Sequence, residues 1–193
     1  MQHYLVPQHD SGHSVNLEHE VIAADVEEAE DWFVTAKDRL LDVNHWRVTG
    51  RLLTQDLHLT DSHGRVMNRH ARKGDHIRIN IPGPGPREVD AYDWVVIAAI
   101  EYDDYPDESR ETFALKICAA GMPGEGGAGS GTSGTLVIER NSKMLRARYH
   151  GRNAVEYSFV PGPASPADDS GQFSAWLGIS DAQWQSLLAG MIE

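Results

Sequence analysis

The chain has 193 residues, of which 40% are hydrophobic and 24% charged, and no break in composition divides it into two halves. These proportions are typical of globular proteins, and a formal net charge of −12 works against non-specific binding to nucleic acid or anionic lipid. We therefore expect one folded domain over residues 1–193, with neither nucleic acid nor membrane as a partner.

The first predicted elements follow a polar N-terminal segment. Residues 1–13 have no hydrophobic pattern and are predicted to be loose. A strand is predicted from Ser14 to Ile22, and a helix over about 25–42, where apolar residues recur at helical spacing. Asp25 and Glu28 have the spacing of a capping box at the start of this helix.

A sheet is predicted to begin at Trp46, where the hydrophobic period changes to two, with a turn at 60–64. The next strand, His76 to Ile81, alternates isoleucine with polar residues and ends at the proline-rich run 82–86, because proline cannot donate a ladder hydrogen bond. The apolar run from Tyr92 to Tyr102 shows no alternation, which predicts a central strand buried on both faces.

The rest of the chain adds strands and a second helix. The predicted segments are strands at 110–120, 136–140 and 143–150, a long flexible hairpin loop at 121–134, an irregular segment at 160–178 and a helix at about 180–192. Ser180 and Gln183 form another capping-box pattern. The sequence thus predicts an α+β fold: a twisted, curved antiparallel sheet of about six to seven strands with a helix near each end.

Sequence motifs for phosphate, metal or nucleophile sites are absent. The glycine-rich stretch lacks the Gly-Lys-Ser/Thr ending of a P-loop, and no Gly-x-Ser-x-Gly elbow occurs. Of the ten histidines, His9, His13 and His19 are close in sequence, but no His-Glu-x-x-His helix or cysteine pair completes a tetrahedral site. We therefore predict neither a metal ion nor a cofactor.

Compartment is predicted from the single cysteine and the hydrophobic pattern. Cys118 cannot form an internal disulfide, and its alternating apolar run favours a small core residue over a nucleophile. The N-terminus has no basic region, and no segment approaches the roughly 18 apolar residues that a membrane-spanning helix needs. Together these features predict a soluble cytoplasmic protein.

Cationic side chains line one side of two predicted strands. The two-residue period places His76 and Arg78 on one face of their strand, and Arg146, Arg148 and His150 on one face of the last hairpin. If both faces pointed into one cavity, they would suit a small molecule that carries a carboxylate or phosphate. The alternative is a solvent-facing cationic stripe balanced by neighbouring acids.

The order of elements, a strand, a helix, a run of antiparallel strands and a closing helix, resembles the helix-grip fold of the START and Bet v 1 superfamily. That resemblance implies a curved sheet around a long C-terminal helix, with an apolar or amphipathic ligand between them. The last helix here is shorter. The segments 36–44 with Trp46, 74–85 and 93–95 also resemble a group of bacterial proteins without an established activity, which implies no mechanism.

The leading functional hypothesis is a non-catalytic protein that binds a small molecule in a partly cationic cavity between the curved sheet and the helix at 25–42. The predicted lining residues are Trp46, Trp94, Arg78 and Arg146. Binding leads because it demands less of the sequence than catalysis does.

Two alternatives stay open. One is a hydrolase or isomerase in which His76 or His150 acts as general base beside an arginine that stabilises negative charge. A histidine within hydrogen-bond reach of a second polar group in a pocket would favour it. The other is a protein-interaction module that docks a partner through the glycine-rich loop or the proline-rich turn, which a large exposed apolar patch would favour.

Overall fold

The computed structural model describes residues 3–10, 12–80, 92–124, 131–154 and 176–193. The strands are β1 (His13–Ile22), β2 (Asp56–Thr60), β3 (His76–Asn80), β4 (Asp93–Tyr105), β5 (Arg110–Ala120), β6 (Ser133–Asn141) and β7 (Met144–Ala154). Within the described residues they form one sheet in the order β1-β7-β6-β5-β4-β3-β2, and every neighbouring pair is antiparallel. The helices are α1 (Val26–Leu41), α2 (Trp46–Thr49) and α3 (Asp181–Ile192). The predicted α+β class is confirmed.

One face of the sheet, here named the helix face, packs against α1 and α3. Its fully buried side chains include Leu59, Ile77, Ile97, Leu115, Leu136 and Tyr149. The Trp184 ring of α3 stacks on Tyr149 with ring centroids 4.1 Å apart and an interplanar angle of 11°. The space between sheet and closing helix is therefore filled by aromatic packing at this point. None of the described helices is long and apolar enough to cross a bilayer.

The two long helices begin where the capping patterns predict. The Asp25 carboxylate accepts a hydrogen bond from the Glu28 backbone N–H at 2.9 Å, while the Glu28 carboxylate reaches the Ala24 N–H at 2.6 Å. At α3, Ser180 and Gln183 form both bonds of a capping box. These caps satisfy backbone donors that have no partner inside a helix, so each helix starts within a residue of its predicted position.

The region after α1 differs from the prediction. Trp46 begins a short helix rather than a strand, and the next strand, β2, starts only at Asp56. The Trp46 indole N–H donates to the Leu40 carbonyl oxygen at 3.1 Å, and the side chain is 1% exposed. The burial of Trp46 against the end of α1 stabilises this short helix. This burial outweighs the weak two-residue alternation of the sequence around it.

Two further features differ from the prediction: the position of β4 in the sheet and the length of the loop before β6. The middle position of the sheet belongs to β5, whereas β4 is interior but not central. The predicted loop at 121–134 is shorter, because β6 already begins at Ser133 opposite Cys118. The predicted turn at 82–86, residues 125–130 of the predicted loop and most of the predicted irregular segment lie outside the described residues.

A close crossing of α2 and α3 depends on glycine. A methyl group at Gly190 would overlap the Thr49 carbonyl oxygen, which is backbone and cannot turn away. We expect Gly190→Ala to lower the free energy of unfolding by about 2 kcal/mol, although alanine usually stabilises a helix by up to about 1 kcal/mol over glycine. Urea denaturation measures the change. Ala189→Gly is the control for helix propensity, and an unchanged or more stable Gly190→Ala variant would contradict the crossing.

Candidate functional site: a cationic cleft on the polar face

The other face of the sheet, here named the polar face, carries both predicted cationic stripes. His76 and Arg78 of β3 lie there, as do Arg146, Arg148 and His150 of β7, because their alternate neighbours are buried on the helix face. Four strand spacings, about 19 Å, separate β3 from β7. The stripes therefore share a face without being neighbours.

The four predicted ligand residues occupy three places. Arg78 and Trp94 are direct cross-strand partners on the polar face. Trp46 is buried on the helix side, and Arg146 pairs with Glu20, with 2.6 Å between Nη2 and the carboxylate oxygen. The structure thus brings Arg78 and Trp94 together but not the other two, and the role of all four in binding stays a prediction.

The N-terminal segment, residues 3–10, packs on the polar face, although the sequence predicts a loose terminus. The His3 side chain is 5% exposed, and its Nε2 lies 3.4 Å from Asp103 Oδ2 of β4. Val6 is buried, and the Asp10 backbone N–H donates to Asn153 Oδ1 at 3.0 Å. One apolar anchor and these polar contacts hold a segment whose sequence has no periodic pattern.

A cleft of about 430 Å³ lies between this segment and the strands β1 and β7. It is lined by Val6, Pro7, Gln8, His9, Ser14, Asn16 and Arg152. The first four come from the N-terminal segment, the next two from β1 and the last from β7. The cleft therefore exists only because β1 pairs with β7 and the N-terminal segment returns over both.

Arg152 gives the cleft its charge. Its guanidinium group donates to the carbonyl oxygens of Val15 at 3.1 Å and Gly151 at 2.8 Å and to Asn16 Oδ1 at 2.7 Å. The residue is 6% exposed, and no described Asp or Glu forms an ion pair with it. Burial lowers the pKa of this guanidinium, and Tyr149 opposes the shift only in part.

The neighbouring arginines on β7 differ from Arg152 in this respect. Arg146 pairs with Glu20, and Arg148 pairs with Glu139 across the strands. Both positive charges are therefore compensated locally, whereas that of Arg152 is held by neutral oxygens. Among the described residues, therefore, no carboxylate compensates the buried charge of Arg152, although the net charge of the protein is −12.

His150 is oriented by the same asparagine. Its Nδ1 lies 2.8 Å from Asn16 Oδ1, and that oxygen also accepts from Arg152. The Nδ1 atom therefore carries the hydrogen, which leaves Nε2 with a free lone pair. Burial first, then the charges of Arg152 and Arg148, lower the pKa of His150 to about 4, so the ring is neutral at pH 7.

Polar atoms around His150 and Arg152 lack hydrogen-bond partners. Ser133 lies directly opposite Arg152 and Thr135 directly opposite His150 in the pairing of β6 with β7. The side-chain oxygens of both and His150 Nε2 are buried, and none has a partner in the part of the chain that the structure describes. Buried polar atoms usually bind protein, water or a ligand, so this cluster has unused capacity for one.

Of the two predicted general bases, His150 has a second polar group within hydrogen-bond reach, namely Asn16, but only Asn16 lines the cleft. His76 has no such partner among the described residues: its Nδ1 is buried and unbonded, and burial lowers the pKa of its ring. Cys118, predicted to be a core residue, is half-buried on the polar face beside Ser133. Burial raises the pKa of its thiol, which disfavours a thiolate nucleophile.

Sequence reasoning missed Arg152 and Asn16. Arg152 continues the two-residue series of Arg146, Arg148 and His150, so the periodicity would have included it if the predicted strand had not ended at His150. Asn16 has no sequence signal, because it meets His150 only through a pairing of strands that are 134 residues apart.

A second groove, of about 380 Å³, lies at the end of α3 and is lined by Val21, Trp32, Thr35, Arg39 and residues 191–193. Its arginine is already engaged, since Arg39 donates to the carbonyl oxygens of Gly190 and Met191 at 3.0 and 3.2 Å. Those carbonyls lie at the end of a helix, where a cation is stabilising. This arginine therefore has a structural role.

Comparisons with known proteins find solved structures of low similarity and no related family. No family model matches the sequence, and the curated proteins give no significant match. The chain is similar to truncated norcoclaurine synthase from Thalictrum flavum, with a TM-score of 0.35 and 13% identity over 76% of this chain and 81% of that one. It is also similar to Ara h 8.0201, with a TM-score of 0.32 and 12% identity over 81% and 84% of the two chains. Likenesses at these low values carry no function to this chain.

Proposed function

We propose that this protein binds a small organic anion, without converting it, in the cleft beneath the N-terminal segment. The observation that carries the proposal is the buried guanidinium of Arg152, which has no carboxylate partner among the described residues. A buried charge is unfavourable unless an opposite charge compensates it. A carboxylate or phosphate oxygen in the cleft would supply that charge.

The size and lining of the cleft suit a small ligand. Its volume of about 430 Å³ lies within the range of ordinary ligand pockets. Val6 and Pro7 offer apolar contact, while Ser14, Asn16 and Arg152 offer polar groups on the opposite wall. The net charge of −12 disfavours a polyanion, so the proposed ligand carries one or two negative charges.

The enzyme hypothesis has one supporting observation, the imidazole of His150 oriented by Asn16. A pKa of about 4 makes this ring a weak proton acceptor at neutral pH, because an efficient base has a pKa near the working pH. Binding therefore remains the better account. The interaction-module hypothesis rests on residues 82–86 and on a loop that includes 125–130, which lie outside the described residues.

Native mass spectrometry of gently purified protein tests the proposal. We expect wild type to retain an anionic species that Arg152→Gln loses, because the variant removes the charge. Arg47→Gln is the matched control. Arg47 is exposed, does not line the cleft and forms an ion pair with Asp56, with 2.5 Å between Nη1 and Oδ1. Thermal unfolding with acetate, succinate and phosphate provides a second readout, with Tm raised in wild type and unchanged in Arg152→Gln.

Two results would count against the cleft. One is a retained species of equal abundance in wild type and Arg152→Gln. The other is an apo mass in wild type combined with no shift of Tm by any of the three anions.

A further inference from the structure

We infer that a second site, for an aromatic carboxylate, lies at the opposite side of the polar face, where Arg78 meets Tyr92 and Trp94. His58 of β2, Arg78 of β3 and Trp94 of β4 are directly opposite one another across three adjacent strands. This site is about 19 Å, or four strand spacings, from the β7 cleft. It is therefore independent of the proposed anion cleft.

The positive charge of Arg78 has no counter-ion among the described residues. Its guanidinium carbon lies 4.7 Å from the centroid of the Tyr92 ring, and its Nε is buried without a hydrogen-bond partner among the described residues. No described Asp or Glu pairs with it, in contrast to Arg69, whose guanidinium holds the Asp75 carboxylate at 2.6 Å. Exposed Arg51 also has no carboxylate, but water solvates it, whereas Arg78 is half-buried.

Small residues flank Trp94. Gly64 approaches the edge of the indole, and a Cβ at that glycine would lie 3.9 Å from both Trp94 Cη2 and Pro123 Cγ. On the other side, the residue opposite Trp94 on β5 is Ala120. A half-buried indole between a glycine and an alanine leaves an aromatic surface on which a second ring can stack.

These groups specify the class of ligand. The planar fork of a guanidinium matches a carboxylate through two parallel hydrogen bonds, and the cation–π contact with Tyr92 restrains the Arg78 guanidinium. Trp94 supplies a face for the ring that bears the carboxylate. His76, two residues before Arg78 on the same face, adds a buried Nδ1 without a described partner. An aliphatic acid would use only the guanidinium.

The test is an NMR titration with benzoate, cyclohexanecarboxylate and acetate, followed on the Trp94 indole N–H resonance. Benzoate is expected to move this resonance in wild type and to bind at least about tenfold more tightly than acetate. In Arg78→Lys, which keeps the charge but loses the fork, we expect benzoate to bind at least about tenfold more weakly. We expect the same loss in Trp94→Leu, which has no indole and is followed on the backbone N–H resonance of Ala120, the cross-strand partner of position 94. Arg47→Lys, at an exposed ion pair, should bind as wild type does.

Separate outcomes identify the site. Equal affinity for benzoate in wild type and Arg78→Lys would overturn the inference, as would equal affinity for benzoate and acetate. Loss of benzoate binding in Arg152→Gln but not in Arg78→Lys would place the ligand in the cleft and overturn the second site. Unchanged benzoate binding in Arg152→Gln is the expected result.

Discussion

Lowering the pH from 6.5 to 4 should reduce the free energy of unfolding by about 3 kcal/mol through His150 alone. The unfolded chain takes up a proton on this ring near pH 6.5, whereas the folded protein does so only near pH 4. Between these values the unfolded state binds more protons, so stability falls as the pH falls. Above about pH 7.5 the imidazole is neutral in both states and the contribution of its burial is complete.

Urea denaturation of wild type and His150→Gln at pH 7 and pH 4 measures this contribution. The pKa values of His3 and His76 are also lowered by burial, which acts in the same direction in both proteins. The difference between the two proteins therefore isolates His150. His63→Gln is the matched control at an exposed position. An identical loss of stability in wild type and His150→Gln would contradict the buried neutral imidazole.

Asn16→Asp is expected to abolish anion binding while stabilising the fold at neutral pH. The new carboxylate would lie about 2.7 Å from the Arg152 guanidinium and 2.8 Å from His150 Nδ1, in place of a neutral oxygen. It would supply the counter-charge that we assign to the ligand. Like-charge repulsion between the carboxylate and the anion should then weaken binding by about 100-fold or more.

Isothermal titration with the anion retained in the native mass spectrum measures this affinity. An NMR titration of His150 provides an independent readout, because a carboxylate at position 16 should raise the pKa of His150 above its wild-type value of about 4. Asn141→Asp, which adds the same charge at the exposed end of β6, should bind as wild type does. Wild-type affinity in Asn16→Asp would mean that Arg152 does not hold the ligand.

The elements with strong local signals were predictable from the sequence. The caps at Asp25 and Ser180 place both long helices, since a side chain that satisfies the first backbone donors marks one residue. The strand at 110–120 matches β5, because its alternation is uninterrupted. The prediction that a strand begins at Trp46 was wrong, since one tryptophan among mostly polar neighbours fits a buried helical turn equally well.

The candidate site was less predictable because it depends on which strands are neighbours. The cationic face of β7 follows from periodicity, but the pairing of β1 with β7 does not, since antiparallel neighbours need not be consecutive. The orientations of His150 and Arg152 both depend on Asn16, which that pairing supplies. The fold of the N-terminal segment back over β1 has no local signal at all.

The pairing of β1 with β7 also has a consequence for biosynthesis. Asn16 and His150 are 134 residues apart, so the first strand leaves the ribosome long before the strand that completes its edge. Contacts of such separation slow folding, because a long loop must close before they form. During synthesis β1 therefore lacks its partner strand until β7 has been made, and a chaperone that shields such edges would act at this step.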